Sequence, residues 1–133
     1  MSKLYDTFLY LKKEDNETIY MFKSGIFYIF LAEDAELVSS IFNFKITNLN
    51  NQVIKCGFPI SSYEKYLPII EHLPYKFKIV DINDNMTMSL SDFKLNHNFE
   101  TVFNKLKNID TNNLSVSEAY NFINELRSDL GIQ

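Results

Sequence analysis

Apolar positions in the first half of the chain follow two different periods, which predict helices and strands in turn. Apolar residues at spacings of four and three predict an amphipathic helix over residues 2–14, with Ser2 as its cap. β-branched and aromatic residues then predict strands over residues 18–23 and 26–31. The second strand is apolar at every position, so we expect it to be covered on both faces or to offer one face to a partner.

Short elements of both kinds continue to about residue 90. The predicted elements are a helix over residues 33–43, strands over 45–47 and 53–56, a helix beginning at Ser61 or Ser62, a strand over 75–80 and a further strand over 86–90. Gly57-Phe58-Pro59 should interrupt the strand pattern, because Gly and Pro are unfavourable inside strands. The mixture predicts an α/β (α+β) fold, a small mixed β-sheet flanked by helices.

A helical period returns from about Asn98 and resumes after a polar turn. Ser115 or Ser117 caps the last helix, and Glu118 stands three residues after Ser115, as in a capping box. Gly131 should end this helix, because glycine adopts the left-handed conformation of helix C-termini.

The chain therefore divides into two predicted parts, an α/β domain over residues 1–90 and a C-terminal two-helix hairpin over residues 91–133. Two helices rarely bury enough area to be stable alone. The outer edge of the hairpin should thus contact the α/β domain, a second copy of the chain in a homodimer, or another protein. The predicted interface residues of the last helix are Phe122, Ile123, Leu126 and Leu130.

The composition excludes several kinds of site and a membrane span. The single cysteine, Cys56, excludes an intrachain disulfide and a cysteine-based metal site, and the two histidines lack metal-ligand spacing. Cys56 is either a small buried residue or a thiol paired with a histidine base. No apolar run is long enough to span a membrane, and we expect a cytoplasmic protein without metal or cofactor.

The charge balance limits how the chain could bind DNA. Thirteen Lys and Arg against 17 Asp and Glu give a net charge of −4, and Arg127 is the single arginine. Proteins that hold duplex DNA by neutralising phosphates are usually basic. Electrostatic attraction alone therefore predicts weak binding to DNA.

The stretch from Phe22 to Phe30 resembles the strand–Gly–strand signature of the N-terminal domain (domain I) of the DNA mismatch-repair protein MutS, which is roughly F-x-x-G-D-F-Y-E-x-F. The similarity continues through Gly57-Phe58-Pro59 and a strand over residues 75–81, and it covers about residues 2–82. Residues 109–119 with Leu126 also resemble the extreme C-terminal helix–turn–helix of MutS. In that family this element packs against the partner subunit.

The central part of MutS has no counterpart in this sequence. The phosphate-binding pattern G-x-x-x-x-G-K-[ST] is absent, and three glycines cannot supply such a loop. We therefore expect neither ATP hydrolysis nor a DNA clamp, and a non-enzymatic protein.

The resemblance assigns a role to the apolar strand. Phe27 occupies the position of the phenylalanine that wedges beside a mispaired base in the family. Ile29 stands where the family has the glutamate that hydrogen-bonds that base, and Ile26 stands where it has aspartate. An isoleucine cannot form that bond, so Phe27 either still unstacks a DNA step or contacts a protein. The candidate DNA-binding residues are Phe27, Lys23, Lys45 and Lys55, and the candidate protein-interface residues of this region are Ile26 and Ile29.

These features predict a stand-alone MutS-like accessory protein in DNA transactions that works mainly by docking on a protein partner. The partner could be a site-specific recombinase or integrase of a mobile element, and this chain would set the direction of the recombination reaction. The alternatives are a direct binder of mismatched, distorted or branched DNA, and a modulator of full-length MutS.

Overall fold

A computed structural model describes residues 3–83 and 86–132, so the cap predicted at Ser2 lies outside the described residues. The chain forms two compact units, unit 1 (Met1–Leu90) and unit 2 (Ser91–Gln133). The α-helices are α1 (Lys3–Glu14), α2 (Ala32–Phe42), α3 (Tyr63–Glu71), α4 (Leu90–Asn108) and α5 (Val116–Asp129). The strands are β1 (Ile19–Ser24), β2 (Phe27–Leu31), β3 (Thr47–Asn48), β4 (Ile54–Pro59), β5 (Phe77–Asp81) and β6 (Met86–Ser89).

Unit 1 is built on one mixed sheet of six strands in the order β3-β4-β2-β1-β5-β6. β1 runs parallel to β5, and the other neighbouring pairs are antiparallel. The α/β fold class with a small mixed sheet is thus confirmed. A two-residue turn at Gly25-Ile26 joins β1 to β2, and Gly25 has a φ of +59°, which glycine adopts without strain.

The two faces of the sheet carry different helices. Phe8 of α1 packs with Phe22 and Ile29 on one face. On the other face, Cys56 contacts the α2 backbone, and Phe58 packs against Tyr66 of α3 with ring centroids 4.8 Å apart. Both faces of β2 are therefore covered from Tyr28 to Leu31, because its successive side chains point to opposite sides.

A buried ion pair ties α1 to the first turn of α2. Lys12 Nζ lies 2.6 Å from Asp34 Oδ1, with side chains 10% and 4% exposed. Asp34 Oδ2 accepts a 3.0 Å hydrogen bond from the Tyr20 backbone N–H, and Lys12 donates to the Thr18 carbonyl at 2.7 Å. Burial raises the pKa of Asp34, and the Lys12 ammonium opposes that rise. Asp34 thus has a buried cationic partner in α1.

Two predicted boundaries are wrong. Gly57, Phe58 and Pro59 continue β4 instead of breaking it. Gly57 is required there, because a Cβ would collide with the carbonyl oxygen of Tyr28 and come within 2.9 Å of the Cα of Ile29. Helix α4 begins at Leu90 rather than near Asn98, since its first turns carry a polar sequence with weak periodicity.

Unit 2 consists of α4 and α5, joined by residues 109–115. The predicted capping box is confirmed: Glu118 N–H donates to Ser115 Oγ at 3.1 Å, and Ser115 N–H donates to Glu118 Oε1 at 3.3 Å. Lys105 Nζ pairs with Asp129 at 2.6 Å and with Glu125 at 3.3 Å. Neither helix has a buried residue. None of the helices in the described part of the chain combines the length and the apolar composition that a membrane span requires.

Candidate nucleic-acid interface

The tip of the β1–β2 hairpin carries two exposed apolar side chains. Ile26 is 72% exposed and Phe27 is 44% exposed. The turn is held in place by the Ile60 backbone N–H, which donates to the Ile26 carbonyl at 2.8 Å. The chain therefore fixes Phe27 at the surface, at the first position of β2.

Beside Phe27 the sheet forms a recess of about 240 Å³. The register places Ser24 opposite Phe27, Ile29 opposite Gly57 and Thr47 opposite Lys55. Side chains alternate along a strand, so these positions share the face that carries Ile29. The lining residues are Ser24, Phe27, Ile29, Lys45, Thr47, Lys55, Cys56 and Gly57.

The recess is positively charged. Lys45 and Lys55 line it, and its described lining residues include no acidic side chain. Within residues 3–83 and 86–132, neither lysine forms an ion pair or hydrogen bond with another side chain. Three of the four predicted DNA-binding residues, Phe27, Lys45 and Lys55, thus meet at one place.

Lys23, the fourth predicted DNA-binding residue, lies elsewhere. Lys23 pairs with Tyr28 in the β1–β2 ladder, so its side chain leaves from the face opposite Ser24 and Phe27. It is exposed, and it does not line the recess. The expectation that Lys23 acts with the other two lysines does not match this geometry.

Ile29 is buried at 7% exposure and belongs to the core around Phe8 and Phe22. The expectation that Ile29 offers an exposed apolar interface is therefore wrong, because α1 covers most of that face of β2. Ile26, by contrast, is exposed at the hairpin tip. The residue at the family's glutamate position is thus both apolar and largely withdrawn from the surface.

Cys56 lies in the core of unit 1. The Cys56 Sγ lies 3.4 Å from the Ala35 carbonyl oxygen, and burial raises the pKa of its thiol to about 11. This favours the interpretation of Cys56 as a core residue, since the thiolate is the nucleophilic form. In the described part of the chain, no three His, Cys, Asp or Glu side chains are close enough to hold a metal ion.

Comparison with known proteins places the chain in a family. The family model for MutS domain I matches residues 3–117. The chain belongs to the MutS domain I family. Over 60 residues it is 40% identical to the DNA mismatch repair protein MutS of two Leptospira interrogans strains, of serovars copenhageni and Lai. These 60 residues are 45% of this chain and 7% of either relative.

The match to MutS domain I confirms the resemblance seen in the N-terminal signature. It also runs through residue 117, into the segment that resembles the C-terminal end of MutS. The similarity of that segment to the MutS C-terminus stays a prediction.

The predicted interface residues of α5 lie at the surface of unit 2. Ile123 is 56% exposed, and Phe122, Leu126 and Leu130 are half-buried. Phe122 also lines a shallow recess of about 290 Å³ in unit 2, together with Ile109, Leu114, Glu118, Asn121 and Glu125. Their role as an interface stays a prediction.

The sequence pattern missed the polar rim of the recess. Ser24 and Thr47 carry hydroxyls beside Phe27, but both are small polar residues next to turns, which is their usual place. Only the strand register, which brings Thr47 opposite Lys55, identifies them as site residues.

Proposed function

We propose that this protein is an accessory module in DNA transactions that contacts DNA through the recess beside Phe27. The observation that carries the proposal is the meeting of an exposed aromatic ring with Lys45 and Lys55 in a recess whose described lining residues include no acidic side chain. Aromatic rings stack on bases and lysines attract phosphates. The similarity to the DNA mismatch repair protein MutS of Leptospira interrogans supports a role of this kind.

The module does not discriminate mispairs. Mispair recognition at the position of Ile29 would need a hydrogen-bonding side chain, and Ile29 is apolar and buried. DNA contact through Phe27 and two lysines then depends on shape and charge rather than on the identity of the bases.

Competition binding tests this proposal. Fluorescence anisotropy with a fully paired duplex should give measurable, salt-dependent binding, and an otherwise identical G·T duplex should compete equally well. A preference of tenfold or more for the G·T duplex, about 1.4 kcal/mol, contradicts the lack of discrimination. Absence of binding to any DNA contradicts the proposal as a whole.

Docking on a protein is the second candidate function, and the exposed apolar stripe of α4 favours it. Phe99, Phe103 and Leu106 are 53%, 64% and 52% exposed, and their spacings of four and three place them on one side of the helix. Exposed apolar surface of this kind marks protein interfaces. The net charge of −4 also favours docking on a protein. A chain that binds DNA weakly reaches DNA more readily through a partner that is already bound to it.

Under this second candidate the partner is full-length MutS, a site-specific recombinase of a mobile element, or a second copy of the chain. Sedimentation of the purified chain, alone and with each purified candidate, separates these possibilities. Phe103→Ser should reduce the association, because it places a hydroxyl on the stripe. Unchanged association of Phe103→Ser with every partner contradicts docking through α4.

A further inference from the structure

We propose that copies of this chain associate head to tail, with the tip of the β1–β2 hairpin of one copy bound in the unit 2 recess of the next. The hairpin tip comprises Gly25, Ile26 and Phe27, and the unit 2 recess is the one that Phe122 lines. The inference goes beyond the proposed function, because it gives the unit 2 recess an occupant and requires no DNA.

The unit 2 recess combines half-buried apolar residues with exposed acidic ones. Its residues on α5 are spaced by three and four, so they lie on one side of that helix. Its described lining residues include no basic side chain. A complementary ligand therefore presents an apolar side chain with cations beside it. The lining residues are the half-buried Ile109, Leu114 and Phe122 and the exposed Glu118, Asn121 and Glu125.

Both carboxylates of the unit 2 recess can accept further hydrogen bonds. Glu118 Oε1 accepts from the Ser115 N–H at 3.3 Å, and Glu125 Oε2 lies 3.3 Å from Lys105 Nζ. Within residues 3–83 and 86–132, the second oxygen of neither side chain accepts a hydrogen bond. Lys105 is shared with Asp129, so this single ammonium leaves the recess negatively charged. Two carboxylate oxygens are thus open to the cations of a ligand.

The hairpin tip of unit 1 has the complementary composition. Ile26 is 72% exposed and Phe27 is 44% exposed, so the turn presents two apolar side chains. Lys45 and Lys55 line the recess that Phe27 also lines. Residues 18–32, which span the hairpin, contain no Asp or Glu. A second copy of the chain therefore supplies both the apolar group and the cations that the unit 2 recess lacks.

The size of the unit 2 recess and the rigidity of the hairpin tip also fit each other. A recess of about 290 Å³ is just below the roughly 300–1,000 Å³ of pockets for drug-sized ligands, so it can hold one or two side chains. The tip is a two-residue turn fixed by the Ile60 N–H, which donates to the Ile26 carbonyl at 2.8 Å. Such a tip loses little conformational entropy on binding.

Head-to-tail contact predicts a particular mode of self-association. Each copy carries one hairpin tip and one unit 2 recess, so it can bind two neighbours, and association continues beyond the dimer unless a ring closes. The contact joins opposite charges, so salt should weaken it. Symmetric pairing of apolar helix faces would instead stop at the dimer and would not weaken with salt.

Sedimentation velocity over a range of protein concentrations tests this inference. The full chain should associate at low ionic strength and dissociate at about 1 M salt, where the Debye length falls to about 3 Å. Ile26→Asp and Glu125→Lys should each lower the association constant at least about tenfold, because each juxtaposes like charges in the contact. Lys45→Glu is a second variant of the tip side, at an exposed lysine.

Matched control variants make the same chemical changes elsewhere. Ile69→Asp places an acid at a 47% exposed isoleucine of α3, and Glu100→Lys reverses an exposed acid of α4. Both residues lie outside the hairpin tip and the unit 2 recess, so both variants should associate as the wild type does. Thermal melting followed by circular dichroism checks that every variant keeps its fold.

Mixing the two interface variants gives the sharpest result. Neither Ile26→Asp nor Glu125→Lys alone has an intact pair of surfaces. In the mixture, the intact tip of the Glu125→Lys protein meets the intact recess of the Ile26→Asp protein. The mixture should therefore associate much more strongly than either variant alone. A symmetric contact does not permit this recovery.

Three results would overturn the inference. These are a wild-type chain that stays monomeric at low ionic strength, association that Ile26→Asp and Lys45→Glu leave unchanged, and a mixture that associates no better than its components. None of them affects the proposed DNA contact, which anisotropy measures separately. Equally, a chain that binds no DNA but shows recovery in the mixture contradicts the proposed function and supports head-to-tail association.

Discussion

Unit 1 and unit 2 differ sharply in what holds them together. Every buried side chain among the described residues lies between Phe8 and Val80, inside unit 1. Its sheet is covered by helices on both faces, and the Lys12–Asp34 pair links two of those helices. In unit 2 no described residue is buried, and large apolar side chains such as Phe103 and Ile123 are more than half exposed.

The two units are therefore specified by different kinds of interaction. In unit 1, burial of apolar side chains drives folding and fixes one arrangement of helices and strands. In unit 2, local signals define the helices, above all the capping box at Ser115 and Glu118. Local signals contribute only a few kcal/mol at most, so unit 2 should gain most of its stability from a surface that covers its apolar stripe.

Removing one member of the buried ion pair should cause the largest loss of stability in unit 1. Asp34→Ala leaves the Lys12 ammonium nearly buried without its carboxylate and the Tyr20 N–H without its acceptor. We expect a loss of about 3–5 kcal/mol of unfolding free energy, measured by urea denaturation with circular dichroism. Glu33→Ala, at an exposed neighbouring acid, is the control and should cost less than about 0.5 kcal/mol. Similar losses for both variants would mean that the pair does not stabilise unit 1.

A methyl group at Gly57 should be the next largest perturbation. Its Cβ would strike the backbone of β2 at Tyr28, so β4 and β2 must separate. Overpacking of this kind costs about 1–3 kcal/mol, and the same urea titration measures it. A Gly57→Ala protein as stable as the wild type would place β4 further from β2 than the structure does.

The buried thiol predicts a loss of stability at high pH. Folding raises the pKa of Cys56 from its ordinary value of 9.0 to about 11, so the folded state binds its proton more tightly than the unfolded state. The contribution of this thiol to the free energy of unfolding is therefore fully present below pH 9 and is lost as the pH rises towards 11. Cys56→Ala should reduce the alkaline loss measured by urea denaturation. An identical pH dependence in Cys56→Ala would contradict the burial of the thiol.

Deleting residues 91–133 should have the smallest effect on unit 1. Because the buried core lies between Phe8 and Val80, the remaining residues 1–90 should unfold cooperatively. Their midpoint of urea unfolding should stay close to that of unit 1 in the full chain, because no described residue of the deleted segment is buried. If residues 1–90 prove unfolded by circular dichroism, the core depends on unit 2 and the two regions are one folding unit.

The sequence predicted the element order well because helical and strand periods alternate clearly through most of unit 1. It missed features that depend on contacts between distant residues. An all-apolar strand has no polar face, so its pattern could not indicate that Ile29 is covered while Ile26 is exposed. Gly57 resembled a strand breaker, because the feature that requires glycine there, the close approach of β2, involves residues far away in the sequence. The pairing of Lys12 with Asp34 was hidden for the same reason.

The salt dependence of DNA binding tests the central claim, contact of DNA through the recess, most directly. Each lysine that neutralises a phosphate makes the plot of log affinity against log salt steeper by about one. The double variant Lys45→Ala/Lys55→Ala should therefore bind a paired duplex more weakly, with a slope shallower by about two. The control Lys65→Ala/Lys76→Ala, at exposed lysines outside the recess, should keep the wild-type slope. Equal slopes for the recess variant and the wild type would contradict the account.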